Sequence, residues 1–329
     1  MPVVWRTFEV TTRVEVLKPS GTTRVWLPAA LLAPFQRTLA NDFKAEGGTA
    51  ELVENKADVL GIVVAEFPAG VKPAVTLTSR ITTRNYEVDL SKPTEPGKEK
   101  DPSSEYFLRP TKLMPTDGIV KVTSDEITVS KKTDVAKARA IYEWIVEISQ
   151  SRDTRLRHWR HSLHAAEQRS GRKVRGSQCT LRRSRPCSRA SRSRRLWYPG
   201  RQIRTRIQKP RASTPNITKA QHCRAEVYLR EYGWFPVDPA DVRKVVLEEL
   251  QGNRSLDDDM VKTVLFGAWE MNWMAYNFAH DVALPASKGG PVGFLMYPQA
   301  ETAEGSLDCL DPDNFKYEIG SREILPNNG

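Results

Sequence analysis

The sequence predicts an α+β protein: an N-terminal β-sandwich followed by a second unit that holds a helix and a β-hairpin. Three observations carry this. The first hundred residues fall into short apolar runs of strand length, separated by proline and glycine. Residues 134–148 place apolar side chains at helical spacing. Residues 223–237 alternate apolar with polar and hold a turn signal at their centre.

The elements follow in order. Val10, Val14, Val16, Val25 and Leu27 sit in runs broken by Pro19-Ser20-Gly21 and Pro28, which reads as two strands. Leu31 to Phe43 reads as a helix ending before Gly47-Gly48. The continuous apolar run Leu60 to Phe67 has the length of a buried strand, and Val75 to Leu90 alternates apolar residues with Thr, Ser and Arg. Ser91 to Ser104, with Pro93, Pro96, Gly97 and Pro102, reads as a linker. The domains expected are therefore 1–104, sandwich-like, and 105–329, the core. In the second, Thr133 caps a helix from Asp134 to about Ile148, with Val135, Ala138, Tyr142, Ile145, Val146 and Ile148 on or near one face. Val242 to Leu250 is short and mixed, Val261 to Tyr276 is rich in aromatics, and Val292 to Ile319 reads as further strands.

The chemistry-bearing stretch is Gln221 to Arg243, QHCRAEVYLREYGWFPVDPADVR. Cys223, Ala225, Val227 and Leu229 alternate with Arg224, Glu226, Tyr228 and Arg230, the pattern of a half-buried strand. Glu231-Tyr232-Gly233 turns the chain, and Trp234 to Val237 returns beside it. His222 and Asp238 then stand on neighbouring strands, where a carboxylate can orient an imidazole. That is two thirds of a nucleophile-base-orienter triad. Cys223 neighbours His222, but successive strand residues face opposite ways, so it is assigned to the core.

Residues 151–215 differ from the rest. Twenty of these 65 residues are Lys or Arg and only Asp153 and Glu167 are acidic, a net charge of +18 against −8 for the remainder. The chain's total of +10 therefore belongs to this segment alone. Its aliphatic and Phe content is seven residues, too few to offset the entropy of ordering it, so disorder is expected. Elsewhere the composition is that of an ordinary soluble protein. No run of about 18 apolar residues offers a membrane span, and MPVVWRTFEV lacks a secretory pattern, so a cytoplasmic location is expected, or a periplasmic one if the start is truncated. Four cysteines (Cys179, Cys187, Cys223, Cys309) show neither disulfide framework nor metal spacing. His158, His161 and His164 recur every third residue without acidic or thiol partners, so no metal is assigned. Asp257 to Asp259 are consecutive rather than spaced, which fits a solvated turn better than calcium ligation. Trp269, Trp273 and Tyr276 at helical spacing read as core.

Three of these stretches resemble the transglutaminase-like (papain-like thiol) superfamily in its bacterial two-domain form. TDVAKARAIYEWIVE is similar to the helix preceding that family's nucleophile, ITKAQHCRAEVYL to its histidine strand and YGWFPVDPAD to its aspartate strand. YFLRPTKLMPTDGIV resembles the lead-in to its core. The resemblance covers roughly 105–150 and 216–320. It implies a papain-like core of helices packed on an antiparallel sheet, a cysteine at the N-terminus of a buried helix, His222 as base and Asp238 as its orienter. A helix start favours the thiolate through its dipole and open N–H groups. Cys179, 43 residues before His222, is the cysteine placed for that role; Cys187 directly follows Pro186.

The segment after Cys179 departs from the family. It reads TLRRSRPCSRASRSRR, with Leu181 as its one sizeable aliphatic and Pro186 where a helix interior belongs. An interior proline costs about 3 kcal/mol. Each buried aliphatic replaced by arginine loses about 1.5–3 kcal/mol. Against a domain stability of about 5–15 kcal/mol, these losses disrupt the core. A shifted reading frame over 151–215 accounts for the departure. Trp197 to Gly200, read one base later as TGG-TAY-CCN-GGN, permits Gly-Ile-Pro-Ala, which is similar to the family's sequence after its nucleophile helix.

The expected activity is thiol-dependent acyl transfer or amide hydrolysis by Cys179, His222 and Asp238 on a protein or peptide substrate, without a cofactor, in a chain that the altered segment inactivates. Two other classes stand beside it. One is a non-catalytic binding scaffold. The other is nucleic-acid binding through 151–215, whose arginines interleave with Trp159, Trp197 and Tyr198. The basic run interrupts a recognisable domain instead of extending it, which weighs against nucleic acid.

Overall fold

The computed structural model describes residues 5–56, 58–93, 106–107, 109–111, 115–150, 216–239, 242 and 265–325, with backbone strands at 183–189, 197–198 and 201–202. In chain order the first strands are β1 (Arg6–Val16), β2 (Thr23–Pro28), β3 (Gln36–Glu46), β4 (Thr49–Asn55), β5 (Leu60–Phe67), β6 (Ala74–Thr83) and β7 (Tyr86–Glu87). Two helices follow, α1 (Gly118–Thr128) and α2 (Asp134–Gln150). Then come β8 (Arg183–Arg189), β9 (Trp197–Tyr198), β10 (Arg201–Gln202), β11 (Gln221–Leu229) and β12 (Gly233–Val237). The last are β13 (Ala268–Trp269), β14 (Trp273–Ala275), β15 (Gln299–Thr302), β16 (Gly305–Ser306) and β17 (Phe315–Ile324). The fold is α+β, with mainly antiparallel sheets.

The chain divides into two compact units, one of Met1–Asn85, Arg185–Cys223 and Glu270–Gly329, the other of Tyr86–Ser184 and Arg224–Trp269. The first holds a sandwich of two sheets, in strand orders β17-β1-β6-β3 and β16-β15-β2-β5-β4. Val14, Val16, Val75, Leu77 and Phe315 from one sheet meet Val25, Leu27, Val63, Ala65, Phe67 and Ala300 from the other in a buried cluster. Alternation explains this: every second residue of a strand points inward. Both chain ends build the sandwich. β1 pairs antiparallel with β17 from Thr7↔Ile324 to Val16↔Phe315, and β15 pairs with β2. The division at residue 104 expected from composition leaves this pairing out, because periodicity identifies a strand but not its partner.

The helix expected at Leu31 to Phe43 is not formed. After Pro34 the chain enters β3, which pairs with β6 over Gln36↔Thr83 to Glu46↔Ala74. A register shift between Thr38 and Ala40 leaves Leu39 exposed at a bulge. Sheet pairing here overrides a weak helical spacing. Gly47 then turns β3 into β4 with φ +78°, a conformation open to glycine.

In the second unit, α2 begins as expected. The Ala136 N–H donates to Thr133 Oγ1 at 3.2 Å, a side-chain cap. Ala138, Tyr142 and Val146, spaced by four, are its buried face. Tyr142 packs edge-on against Phe266 at 5.2 Å, and Phe266 packs against Phe235 of β12. The Arg139 guanidinium carbon lies over the Phe266 ring, 4.3 Å from its centre. Within the basic segment only β8, β9 and β10 are described. The remaining residues expected there to be disordered lie outside the described residues, as do the rest of the linker after Pro93 and Asp257 to Asp259.

Candidate active site

The β11–β12 hairpin forms as its sequence requires. Ala225 stands opposite Val237 and Leu229 opposite Gly233. The Tyr232 N–H donates to the Leu229 carbonyl at 3.0 Å, and Gly233 takes φ +70° to close the three-residue connection. This register carries Asp238 past Val237 to Arg224. The Asp238 N–H donates to the Leu265 carbonyl at 2.9 Å, which fixes the backbone beneath the carboxylate.

Arg224 and Asp238 form an ion pair with Nε–Oδ2 of 3.1 Å, and their side chains are 3% and 1% exposed. The guanidinium carbon lies 5.6 Å from the centre of the Trp269 ring. That indole is itself fixed, its Nε1–H donating to the Val237 carbonyl at 3.1 Å. An arginine is suited to this place, because a planar guanidinium pairs with a carboxylate and stacks on an aromatic face together. Tyr142 of α2 lies within the electrostatic reach of the carboxylate. Its hydroxyl is fully buried and has no hydrogen-bond partner among the described residues. Burial, and then the negative charge of Asp238, push its phenol well above the ordinary range. It is therefore a neutral hydroxyl held beside a buried carboxylate.

His222 stands near the start of β11, partly buried. Its imidazole packs against the indole of Trp273, with ring centres 5.2 Å apart and planes tilted by 34°. Trp273 is buried, and its Nε1–H donates to Glu270 Oε1 at 2.9 Å. The second oxygen of Glu270 accepts the Asn272 N–H at 3.1 Å.

The described thiols differ in character. Cys309 is buried, and its thiol is pushed up to about 11, mainly by burial. It donates to Gln299 Oε1 at 3.2 Å. Such a thiol packs and does not attack. Cys223 is half-buried and carries no disulfide. Cys179 lies outside the described residues, as do His158, His161 and His164. The side chain of Cys187, in β8, is also outside them. Where the family's nucleophile helix is expected, residues 183–189 run as a strand paired with β14. Among the described residues no three His, Cys, Asp or Glu side chains gather as a metal site.

The structure thus brings Asp238 to Arg224, and His222 to Trp273. Sequence reasoning placed Arg224 and Glu226 on a solvated face. Both are buried, at 3% and 2% exposure, because β11 is covered on both sides at this point. Tyr142 was read only as an apolar helix face. The sequence signal that marks Arg224 is its position two residues after the histidine in a strand whose neighbours are apolar. Trp269, Trp273 and Tyr276 are core residues as expected, but Trp269 and Trp273 lie in the short strands β13 and β14 rather than on a helix.

The family model of the transglutaminase-like superfamily matches residues 121–239, a span that holds Cys179, His222 and Asp238. An uncharacterized protein of Haemophilus influenzae is 28% identical over 343 aligned positions, covering 96% of this chain and 91% of the relative. The 1.9 Å crystal structure of a candidate cysteine protease from Cytophaga hutchinsonii superposes with a TM-score of 0.52 at 13% identity. It covers all of this chain and 95% of the neighbour, and so shows a shared fold. Among the described residues no helix is long and apolar enough to cross a membrane. Over residues 121–239 the chain is similar to the transglutaminase-like superfamily.

Proposed function

We propose that this protein descends from an enzyme of thiol-dependent acyl transfer or amide hydrolysis, with His222 as base, Asp238 as its orienter and the sulfur supplied from the Cys179 region. The family match across 121–239, which spans all three positions, is the observation that carries this reading. The cysteine S–H proton passes to His222 and the sulfur attacks the amide carbonyl carbon. The C–N bond breaks, the leaving amine takes the proton from His222, and a thioester remains. An incoming amine or water then releases the acyl group and restores the thiol. Asp238 holds the imidazole in the tautomer that accepts the proton. Arg224 keeps a charged carboxylate tolerable at 1% exposure. The substrate class is an amide in a protein or peptide.

The chain as spelled is inactive in this proposal. The observation favouring that is the strand β8 and its Pro186, in a region where the nucleophile helix belongs. A frame shift across 151–215 explains both the arginine-rich composition and the strand at 183–189.

The test compares two proteins: the chain as given, and a chain carrying the alternative frame across 151–215. Each is assayed for release of amine from a glutamine peptide and for cleavage of a peptide bond. Turnover in the second alone, abolished by a thiol reagent and by His222→Ala, supports the proposal. An alternative frame closed by stop codons, or a folded second protein with no thiol-dependent turnover, overturns it.

A further inference from the structure

We infer that Trp273, anchored by Glu270, is a platform that positions the His222 imidazole and favours its protonated form. The inference rests on His222 being the base proposed above, and it adds residues that the resemblance does not supply. Its basis is one connected set of contacts. The indole packs against the imidazole with centres 5.2 Å apart. The indole N–H donates to a glutamate carboxylate at 2.9 Å. That carboxylate is fixed in turn by the Asn272 N–H at 3.1 Å, and the Asn272 side chain accepts a hydrogen bond from Arg6, which also pairs with Glu323 at 2.7 Å.

Indole is the best aromatic surface for a cation, because its face is the negative part of its quadrupole. Donation of the ring N–H to an anion draws electron density onto that face. The platform therefore distinguishes imidazolium from imidazole. This suits thiol chemistry, in which the resting pair is a thiolate beside a protonated histidine. A buried, hydrogen-bonded Trp also limits the ring's rotation, so Trp273 acts through His222 as a positioning residue. The charged groups that bear on this set are Arg224, two positions along the strand of His222, Asp238, the orienter proposed above, Glu270, which accepts the indole N–H, and Arg6 and Glu323, linked through Asn272. Arg224 and Arg6 oppose protonation, and Asp238, Glu270 and Glu323 favour it.

The test follows the titration of His222 by imidazole nitrogen–proton NMR in the full chain, assigned with His222→Ala. Trp273→Phe keeps an aromatic ring but loses the link to Glu270, and Glu270→Gln keeps the hydrogen bond but loses the charge. Each is expected to lower the His222 midpoint by about half a pH unit. The double variant is expected to fall by less than the sum, because Glu270 acts through the indole. Thermal melts identify which variants are folded, and Glu270→Gln serves if Trp273→Phe is not. Unmoved midpoints in folded variants, or strictly additive shifts, overturn the platform. Cysteine alkylation in the alternative-frame chain separates the two readings: a thiol there that ignores His222→Ala sinks the proposed function, whereas the midpoints report on the platform in either case.

Discussion

Replacing Arg224 by Met tests the most consequential buried contact of the second unit. The side chains of Arg224 and Asp238 are 3% and 1% exposed and meet at 3.1 Å. At the effective dielectric that suits protein sites, two unit charges about 4 Å apart interact by about 4 kcal/mol. Removing one partner of a buried pair costs about 3–5 kcal/mol. Loss of the guanidinium over Trp269 adds about 1 kcal/mol. Met retains most of the aliphatic stem, so packing loss is minor. Against a domain stability of about 5–15 kcal/mol, Arg224→Met is expected to shift the urea midpoint steeply downward. Adding Asp238→Asn should restore about 1–3 kcal/mol, since the double variant no longer buries that carboxylate charge. Urea unfolding followed by tryptophan fluorescence at pH 7 gives all three values. A single variant within about 1 kcal/mol of the parent, or a double variant equal to the sum of the singles, refutes the reasoning.

Three other outcomes are expected. Tyr142→Phe deletes a fully buried hydroxyl with no hydrogen-bond partner among the described residues and should leave stability unchanged or raise it by about 1–2 kcal/mol; a loss above about 1 kcal/mol in a thermal melt contradicts this. Cys309, pushed up to about 11, should react with iodoacetamide at pH 8 on the order of a hundredfold more slowly than a free thiol, read by mass spectrometry of the native chain. The stabilising preference for the neutral Cys309 thiol is complete below the unfolded value near 9, is lost as pH rises towards 11, and should be absent in Cys309→Ala. Glu9 of β1 is held below the usual carboxylate range, first by its hydrogen bond from Arg322 of β17, with Arg80 of β6 assisting against burial. Its contribution is present at neutral pH and fades as acid protonates it, so Glu9→Gln should cost about 0.5–1 kcal/mol at pH 7 and nothing at low pH, measured by melts across pH.

Much of the fold was legible because it depended on local pattern. The run Leu60 to Phe67 is β5 residue for residue, since apolar residues on both faces mark a largely buried strand, with Glu66 exposed near its end. Thr133 marks the start of α2 because a cap is a contact between residues three apart. The pairing of β1 with β17, some three hundred residues apart, leaves no local trace. β3 was misread as a helix because its strand character comes from β6, and Pro34 sits before it rather than within it. The site follows the same division. His222 and Asp238 were singled out by residue type around a turn signal. Arg224 was not, because an arginine in an alternating strand reads as solvated until a buried carboxylate and an indole are seen around it. Trp273 was recognised as core, but its contact with His222 lies fifty-one residues along the chain.

The most direct measurement of the central claim is the rate of cysteine alkylation against pH, at Cys179 in the chain as given and at the cysteine that the alternative frame supplies across 151–215, each with and without His222→Ala and Asp238→Asn. A working thiol–imidazole pair in the alternative-frame chain predicts fast labelling near pH 6 that slows in both variants, and labelling in the chain as given that follows an ordinary thiol near pH 8.5. Labelling in both chains that follows an ordinary thiol and ignores His222 would contradict the account.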